Sequence, residues 1–243
     1  MKDNLLFQFV KQFRGKISSN IYTPLIGKAD PKHLAFLRNL EKELETEKSL
    51  YIPLHELNVV VFDFETTGFY PGRGDQILSI GAVKCKNGKM CDGETFYSLV
   101  HNNGILSPDI KTLTGLHESD LQAAPDLSEV LISFYQFVQS DTLVAHHASH
   151  EKQFLQHANW KAFKKPYQHR IVDTSLVFNI VVPDKNIVSL DDYCTLSGLG
   201  IRNRHHALGD AIMTAELWEL YIKKLSNEGC CSLKDVYERI ARL

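Results

Sequence analysis

Two carboxylates, Asp63 and Glu65, end an otherwise apolar stretch that begins Asn58-Val-Val-Val-Phe. In an extended strand, side chains two residues apart point to the same face, so the two carboxylates are expected side by side. Neighbouring like charges raise each other's pKa unless a cation lies between them. The pair therefore predicts a site for a divalent cation. A solvated strand end whose aspartate starts a turn is the alternative interpretation.

A third acid, Glu151, follows the stretch His146-His-Ala-Ser-His150. On a helix that begins near Ser149, residues three, four and seven apart stack together, so Glu151 shares its face with Phe154. A carboxylate on an inward face favours a role as a metal ligand. The alternative is a favourable charge interaction with the helix N-terminus.

A fourth acid, Asp210, opens the last long predicted helix and ends the stretch Arg202-Asn-Arg-His-His-Ala-Leu-Gly-Asp. This helix is apolar over most of its surface, so Asp210 is expected to be buried at its start. His205 lies five residues earlier, where it could accept a proton from water near neutral pH. Taken alone, one histidine among eleven is better explained as a surface or capping residue.

Together, the four acids and His205 predict a site that holds two divalent cations. Two such ions roughly 3.5 to 4 Å apart orient and activate a water, stabilise a phosphorane-like transition state and support the leaving oxygen. Hard oxygen ligands favour Mg²⁺ or Mn²⁺ over zinc. The pattern therefore indicates phosphodiester hydrolysis.

The histidines before Glu151 allow a second interpretation, a zinc enzyme. His146 and His150 are four residues apart, as in zinc-binding pairs on helices, and His147 lies between them. However, the predicted helix begins only near Ser149, and the sequence has no His-Glu-x-x-His motif. This interpretation also leaves the acids at positions 63, 65 and 210 without a role.

The elements that must position these residues are a block of strands followed by alternating helices and strands. This order indicates an α/β domain with a mixed sheet. Strands are predicted from residue 58 to about 65 and at 76–84, 94–100, 142–145 and 170–174, the second and third being joined by an Asn87-Gly88 turn and further loop residues. Helices are predicted at 108–116, 125–139, 149–160, 176–180, 189–197, 207–225 and 233–243.

Residues 1 to about 55 form a predicted helical appendage. Two amphipathic helices are expected there, the second starting at Asp30-Pro31. Their apolar stripes are best interpreted as packing on the following domain, and the alternative is a docking surface for a protein partner. The stripes contain Leu6, Phe9, Val10 and Phe13 in the first helix and Leu34, Leu37, Leu40 and Leu44 in the second.

The composition is that of an ordinary globular protein of 243 residues, with 44% hydrophobic and 23% charged residues. A net charge of -2 provides no global field for a long polyanion, so a duplex-coating role is disfavoured and any nucleic acid must be bound locally. The five cysteines have neither zinc-site spacing nor the density of a disulfide scaffold. Without a predicted signal peptide or membrane span, the expected location is the cytoplasm, with no membrane contact.

Two of these motifs resemble those of the DEDDh 3′-to-5′ exonucleases, the family of the proofreading epsilon subunit, RNase T and oligoribonuclease. Asp63-Phe-Glu-Thr-Thr-Gly68 matches the first motif of that family, and His205-x-Ala-Leu-Gly-Asp210 matches the third. Ile77-Leu-Ser-Ile-Gly-Ala-Val83 and Leu113-Thr-Gly-Leu116 are also similar to the family pattern. The resemblance covers about residues 57 to 225.

The resemblance implies a ribonuclease H-like mixed five-stranded sheet flanked by helices, with an N-terminal helical appendage. We expect a helical extension at residues 1–56, an exonuclease domain at 57–226 and a C-terminal helical tail at 227–243. The expected substrates are single-stranded DNA or RNA 3′ ends, and the expected product is nucleoside monophosphates.

The resemblance also implies a role for each site residue. Asp63, Glu65 and Asp210 would be metal ligands together with Glu151, and His205 would be the general base. Thr66 and Thr67 would lie beside the terminal nucleotide. Arg202 and Arg204 are candidates for binding substrate phosphates on a separate ground, because they flank His205 in the sequence.

The second motif departs from the family pattern. The family sequence His-Asn-Ala-x-Phe-Asp is replaced here by His146-His-Ala-Ser-His-Glu151. Glutamate reaches one methylene further than aspartate, and Mg²⁺ demands near-ideal octahedral geometry, so Mn²⁺ is expected to be tolerated better. The alternative is a catalytically weak or silent module that binds nucleic-acid ends and is recruited through its N-terminal helices.

Overall fold

The computed structural model describes residues 31–46, 49–183 and 187–242. Its centre is a five-stranded sheet in the order β3-β2-β1-β4-β5. The first three strands are antiparallel neighbours, whereas β4 and β5 run parallel to β1. The predicted mixed sheet is therefore confirmed. The strands are β1 Val59–Thr66, β2 Ile77–Lys86, β3 Lys89–Leu99, β4 Thr142–Ala145 and β5 Ile171–Asp173.

The hairpin between β2 and β3 is tighter than the sequence pattern predicted. Asn87 and Gly88 have φ values of 52° and 70°, and two consecutive positive φ angles are typical of a two-residue type I′ turn. Strand β3 therefore begins at Lys89, and the further loop residues expected before Glu94 belong to the strand.

Helices cover both faces of the sheet, and one of them was missed in the sequence. The short α3 has only five residues, which is too few for a helical apolar period. None of the described helices is long and apolar enough to cross a membrane. The helices are α1 Pro31–Thr46, α2 Pro108–Thr114, α3 Glu118–Gln122, α4 Leu127–Val138, α5 Ser149–Phe163, α6 Thr174–Val181, α7 Leu190–Ser197, α8 Ala207–Asn227 and α9 Leu233–Ile240, and a 3₁₀ turn spans Pro71–Arg73.

The alternation of side chains along β1 divides the interior into two hydrophobic cores. Val60, Phe62 and Phe64 pack in the core that contains residues of α1, α4 and α5. Val59 and Val61 face the opposite core, which contains residues of α6 to α9. Because Asp63 continues the second series, the period of two places its carboxylate on the α8 side of the sheet.

The second predicted N-terminal helix is present as α1, which begins at Pro31. Its Leu37 and Leu40 are buried in the core beneath α4 and α5, and Lys165 forms a salt bridge with Glu41 at 2.7 Å. These two leucines therefore pack in the core beside the sheet and do not form a free docking surface. The first predicted helix, around residues 6–13, lies outside the described residues.

A glycine in β2 sets the position of α8. Gly81 pairs with Asp63, and a Cβ atom at Gly81 would lie 2.1 Å from the backbone nitrogen of Leu208. The backbone at the start of α8 therefore crosses directly over β2, where only glycine leaves room. This contact brings Asp210, two residues further along α8, over the end of β1.

We expect Gly81→Ala to push the start of α8 away from the sheet. The clash should cost about 1 to 3 kcal/mol of unfolding free energy, as overpacking generally does. Urea unfolding would measure the loss. Gly200→Ala is a matched control because no heavy atom lies within 4 Å of the added methyl position. Equal stability of the two variants would contradict this account of the crossing.

Candidate metal centre

Three carboxylates from two elements converge at the end of β1. Asp63 and Glu65 belong to β1 and Asp210 to α8, and one ligand oxygen from each lies within 4.8 Å of the other two. All three donors are hard oxygen atoms, the type that Mg²⁺, Mn²⁺ and Ca²⁺ prefer in proteins. The donor set therefore fits a divalent cation.

Strand β1 presents its two acids as the sequence pattern predicted. Asp63 pairs with Gly81 and Glu65 with Ser79, and the register shifts immediately afterwards, between Glu65 and Thr66. Such irregularities bend a strand and end its regular pairing. The two carboxylates thus occupy the last two regularly paired positions on their face of β1.

Glu151 faces the same region from the first turn of α5. It is buried, and its Oε2 atom has no hydrogen-bond partner. Among the charged groups, Glu151 contributes most to the rise in the pKa of Asp63. Glu151 is nevertheless outside the compact group formed by Asp63, Glu65 and Asp210. The structure thus places Glu151 beside the group with an unpaired oxygen.

Asp210 is held through only one of its two oxygens. Its Oδ2 accepts hydrogen bonds from the guanidinium Nη1 of Arg204 and, at 3.3 Å, from the backbone N–H of His205. Its Oδ1 is buried without a partner. Buried polar atoms are rarely left unpaired, so the free oxygens of Asp210 and Glu151 indicate that a further group binds here.

The clustering of acids changes their proton affinity. Burial, followed by the charges of Glu151, Asp210 and Glu65, raises the pKa of Asp63 well above its usual range. Burial and the charge of Asp210 raise the pKa of Glu65 to about 7. Burial is also the main reason why the pKa of Glu151 rises to about 8. At neutral pH the cluster therefore favours a cation or bound protons.

We expect the stability of the metal-free protein to fall as pH rises from about 6.5 to 8. Glu65 and Glu151 have folded-state pKa values above the ordinary 4.5, so the folded chain binds more protons than the unfolded chain in this interval. Below about pH 6.5 the lowered pKa values of the buried His146 and His169 act in the opposite direction. At about 1.4 kcal/mol per pKa unit, the loss should be on the order of 2 to 4 kcal/mol. Urea unfolding in a chelator at several pH values would measure it.

Two comparisons would confirm the source of this pH dependence. Glu151→Gln should flatten the slope because the neutral amide releases no proton, and saturating Mn²⁺ should do the same by binding the charged carboxylates. Stability that stays constant or rises between pH 6.5 and 8 in the chelator would contradict the prediction.

The two histidines before α8 have different environments. His206 is the N-cap of α8, where its Nδ1 accepts the backbone N–H of Gly209 at 3.4 Å, and its ring stacks on Tyr97 with centroids 4.5 Å apart. His205 has a φ of 59° and lies beside Asp210 through its backbone N–H. Of the two histidines, His206 is therefore the one with a structural role.

Thr66 ends β1, and Thr67 follows it in a hydrogen-bonded loop. The Thr66 hydroxyl donates to the carbonyl of Gly68 at 2.7 Å. The Thr67 hydroxyl accepts the backbone N–H of Gln76 at 3.0 Å and lies 3.3 Å from Asp75 Oδ1. Both hydroxyls therefore hold the loop in a defined conformation next to the carboxylates.

The two arginines proposed for phosphate binding are both paired with carboxylates. The more exposed, Arg202, contacts Glu216 at 2.5 Å on the surface. Arg204 contacts Asp210 and also Asp191 in the first turn of α7. Both residues thus lie near His205 in sequence, but only Arg204 points into the acidic group.

The histidines considered for a zinc site do not converge on Glu151. His146 Nε2 and His147 Nε2 donate to the same backbone carbonyl, that of Val188, at 3.2 and 2.9 Å. Burial lowers the pKa of His146 to about 4, so it acts as a neutral structural residue. His150 lies instead 3.4 Å from Thr66 Oγ1. This geometry argues against the zinc interpretation.

Comparison with known protein families decides the affiliation of this fold and site. Residues 60–218 match the family model described as Exonuclease. The chain belongs to the exonuclease family, in its DEDDh group. The match includes β1, the two acids on it, α5 with Glu151 and the start of α8 with Asp210.

Two curated relatives support this exonuclease affiliation. A DNA polymerase III subunit epsilon-like protein of Rhodobacter capsulatus is 32% identical over 192 residues, which is 78% of this chain and 27% of the relative. The 3′-5′ exonuclease DinG of Staphylococcus aureus is 31% identical over 181 residues, 73% of this chain and 19% of the relative. The exonuclease chain thus spans less than a third of the length of either relative.

A solved structure supports the fold. Escherichia coli Exonuclease I in complex with a dT13 oligonucleotide superimposes with a TM-score of 0.63 at 14% identity, over 72% of this chain and 43% of that chain. At this identity, the similarity establishes a shared ribonuclease H-like fold.

Proposed function

We propose that this protein is a divalent-metal-dependent 3′-to-5′ exonuclease that releases nucleoside monophosphates from single-stranded nucleic acid. One observation carries the proposal: Asp63, Glu65 and Asp210 converge within 4.8 Å while oxygens of Asp210 and Glu151 remain buried and unpaired. The match to the exonuclease family at residues 60–218 supports phosphodiester bonds as the bonds that are hydrolysed.

The four carboxylates would hold two divalent cations, Mg²⁺ or Mn²⁺. When bound, such ions supply charge stabilisation at the phosphoryl oxygens and lower the pKa of a water that attacks phosphorus. The chain itself provides the negative charge and the rigid positions of Asp63 and Glu65 at the end of a central strand. Glu151 and Asp210 complete the set from two helices.

His205 is the proposed general base. Its backbone lies next to Asp210, and its neighbour His206 is occupied in capping α8. A neutral imidazole in this position can accept a proton from the attacking water, while the carboxylates cannot do so once they are ligands. The positive φ of His205 turns the loop just before α8 begins.

The proposed substrate contacts lie on the loop after β1 and beside α8. Thr66 and Thr67 would contact the terminal nucleotide, and the exposed Arg202 would exchange its ion pair with Glu216 for a backbone phosphate. Phe69 is 75% exposed on the same loop, with its ring edge-on to His150. An exposed aromatic ring next to the cleavage site favours unpaired bases, because bases stack on such rings.

The experiment that tests this function uses matched single-stranded DNA and RNA, labelled at the 5′ end, with Mg²⁺ or Mn²⁺. A ladder of shortened labelled products is expected, because removal from the 3′ end keeps the label on the remaining strand. Release of the label as a mononucleotide would show the opposite direction. Binding without any cleavage in either metal would favour the silent end-binding module.

We expect Glu151→Asp to move the metal preference towards Mg²⁺. The shorter side chain withdraws its oxygen by one methylene, and Mg²⁺ is the ion that depends most on exact ligand positions. The measured quantity is the ratio of turnover in Mg²⁺ to turnover in Mn²⁺, expected to rise severalfold relative to the native chain. An unchanged or lower ratio would show that Glu151 does not set this preference.

A further inference from the structure

Arg204 joins two carboxylates that belong to different helices. Its Nη1 donates to Asp210 Oδ2 in α8, and its Nε donates to Asp191 Oδ1 in α7. The Arg204 side chain is 23% exposed, whereas that of Asp191 is 44% exposed. The guanidinium therefore forms a bridge from the surface of α7 to the acidic group.

This bridge determines which oxygen of Asp210 is free. Oδ2 carries the Arg204 guanidinium and the His205 backbone N–H, while Oδ1 has no partner. A planar guanidinium holds a carboxylate in a defined orientation better than a point charge does. Asp210 is thereby left with one oxygen to offer to a cation.

The outer end of the bridge is also fixed. A reciprocal capping box between Ser189 and Asp192 holds the first turn of α7, and Asp191 lies within that turn. A carboxylate on a rigid helix end restricts the guanidinium that it binds. Asp191 therefore acts on Asp210 through Arg204 without touching the acidic group itself.

We infer that Asp191 and Arg204 are positioning residues that hold Asp210 to single-oxygen coordination and so select Mg²⁺ or Mn²⁺ against Ca²⁺. The inference rests on the proposed metal-dependent function and gives Arg204 a task other than phosphate binding. Mg²⁺ takes six ligands in near-ideal octahedral geometry, whereas Ca²⁺ takes six to eight and readily accepts both oxygens of one carboxylate. Releasing Oδ2 should therefore favour Ca²⁺.

The test measures the dissociation constants of Mg²⁺ and of Ca²⁺ by calorimetry on the full chain without nucleic acid. Asp191→Asn and Arg204→Gln are each expected to raise the ratio of the Mg²⁺ constant to the Ca²⁺ constant about tenfold, the lower end of the usual effect of groups that orient metal ligands. Because both ions carry the same charge, the altered protein charge largely cancels in this ratio.

The double variant, Asp191→Asn with Arg204→Gln, distinguishes an effect of Asp191 that passes through Arg204 from two independent effects on the metal site. If Asp191 acts through Arg204, Asp191→Asn has no further effect on the ratio in the Arg204→Gln background. Arg202→Gln is the matched control, since this arginine pairs with Glu216 and does not contact Asp210; it should keep the native ratio. Should Arg204→Gln fail to fold, Asp191→Asn alone, at a partly exposed position, still provides the ratio.

Three outcomes overturn the inference: native ratios in both single variants, additive shifts in the double variant, or an equal shift in Arg202→Gln. If the native chain binds both ions and the variants show the expected shifts, but the native chain cleaves no nucleic acid, the proposed function is overturned. The action of Asp191 on Asp210 through Arg204 is then still supported. A native chain that binds neither ion would overturn both.

Discussion

Replacing Asp63 by asparagine is expected to reduce turnover on single-stranded substrate by roughly a thousandfold or more. Metal ions supply several kcal/mol of transition-state stabilisation, and each 1.4 kcal/mol is about a tenfold change in rate. Asp63 is the acid whose pKa is raised by all three of its acidic neighbours, Glu151, Asp210 and Glu65, so it lies at the electrostatic centre of the group. Removing its charge removes the central ligand.

The same substitution should stabilise the metal-free fold. Asp63 faces three other acids, so a neutral amide of the same shape relieves like-charge repulsion. We therefore expect a higher midpoint of thermal unfolding in a chelator together with the loss of turnover. This combination distinguishes loss of a ligand from misfolding, which would lower both quantities.

Asp120→Asn is the matched control for Asp63→Asn. It makes the same chemical change at an exposed position of α3 and should leave turnover and metal affinity at native values. More than a tenth of native turnover in Asp63→Asn, measured with saturating Mn²⁺, would contradict a role of Asp63 as a required ligand.

Much of the fold could be predicted because local sequence and tertiary packing agree. The apolar run before Asp63 indicates a buried central strand, and it is central in the sheet. Gly115 and the capping box at Ser189 and Asp192 mark helix ends that the structure contains. Asp173, directly before α6, likewise caps that helix. Signals confined to a few neighbouring residues are the ones that sequence reasoning reads well.

The parts that escaped prediction depend on contacts between distant segments. Gly81 appears in the sequence as a glycine inside a strand, which signals close backbone approach, but not that α8 is the element that approaches. The bridge from Asp191 through Arg204 links residues of two helices and a loop, and no periodicity encodes it. Sequence indicated the charges near His205; only the fold shows which carboxylates they contact.

The candidate site shows the same difference between local sequence signals and contacts between distant segments. Spacing along one strand placed Asp63 and Glu65 together, and helix periodicity turned Glu151 inward. The distance between Glu151 and the other three acids depends on where α5 begins relative to the end of β4. That geometry leaves Glu151 outside the compact group, so its contribution to metal binding is the proposal that most needs the Glu151→Asp measurement.

His205→Asn is expected to lower turnover by about 10² to 10⁴-fold, the usual contribution of general base catalysis, with little change in metal affinity. Asparagine suits this position because it tolerates a positive φ, which is 59° at His205, so the loop should keep its course. The substitution thus removes the imidazole and leaves the backbone N–H that donates to Asp210 Oδ2. Single-turnover rates with saturating Mn²⁺ would measure the effect.

The neighbouring histidine provides the control. His206→Asn keeps a good N-cap for α8 and removes only the stack on Tyr97, so its turnover should stay within about threefold of native, since asparagine is a favoured capping residue. His205→Gly also fits the positive φ and leaves space beside Asp210, where added imidazole should restore part of the lost rate. Equal losses in the two asparagine variants, or no response of His205→Gly to imidazole, would count against proton transfer by His205. A structural defect in the loop could explain a slow His205→Asn enzyme, but it could not explain a rate that rises with a free base.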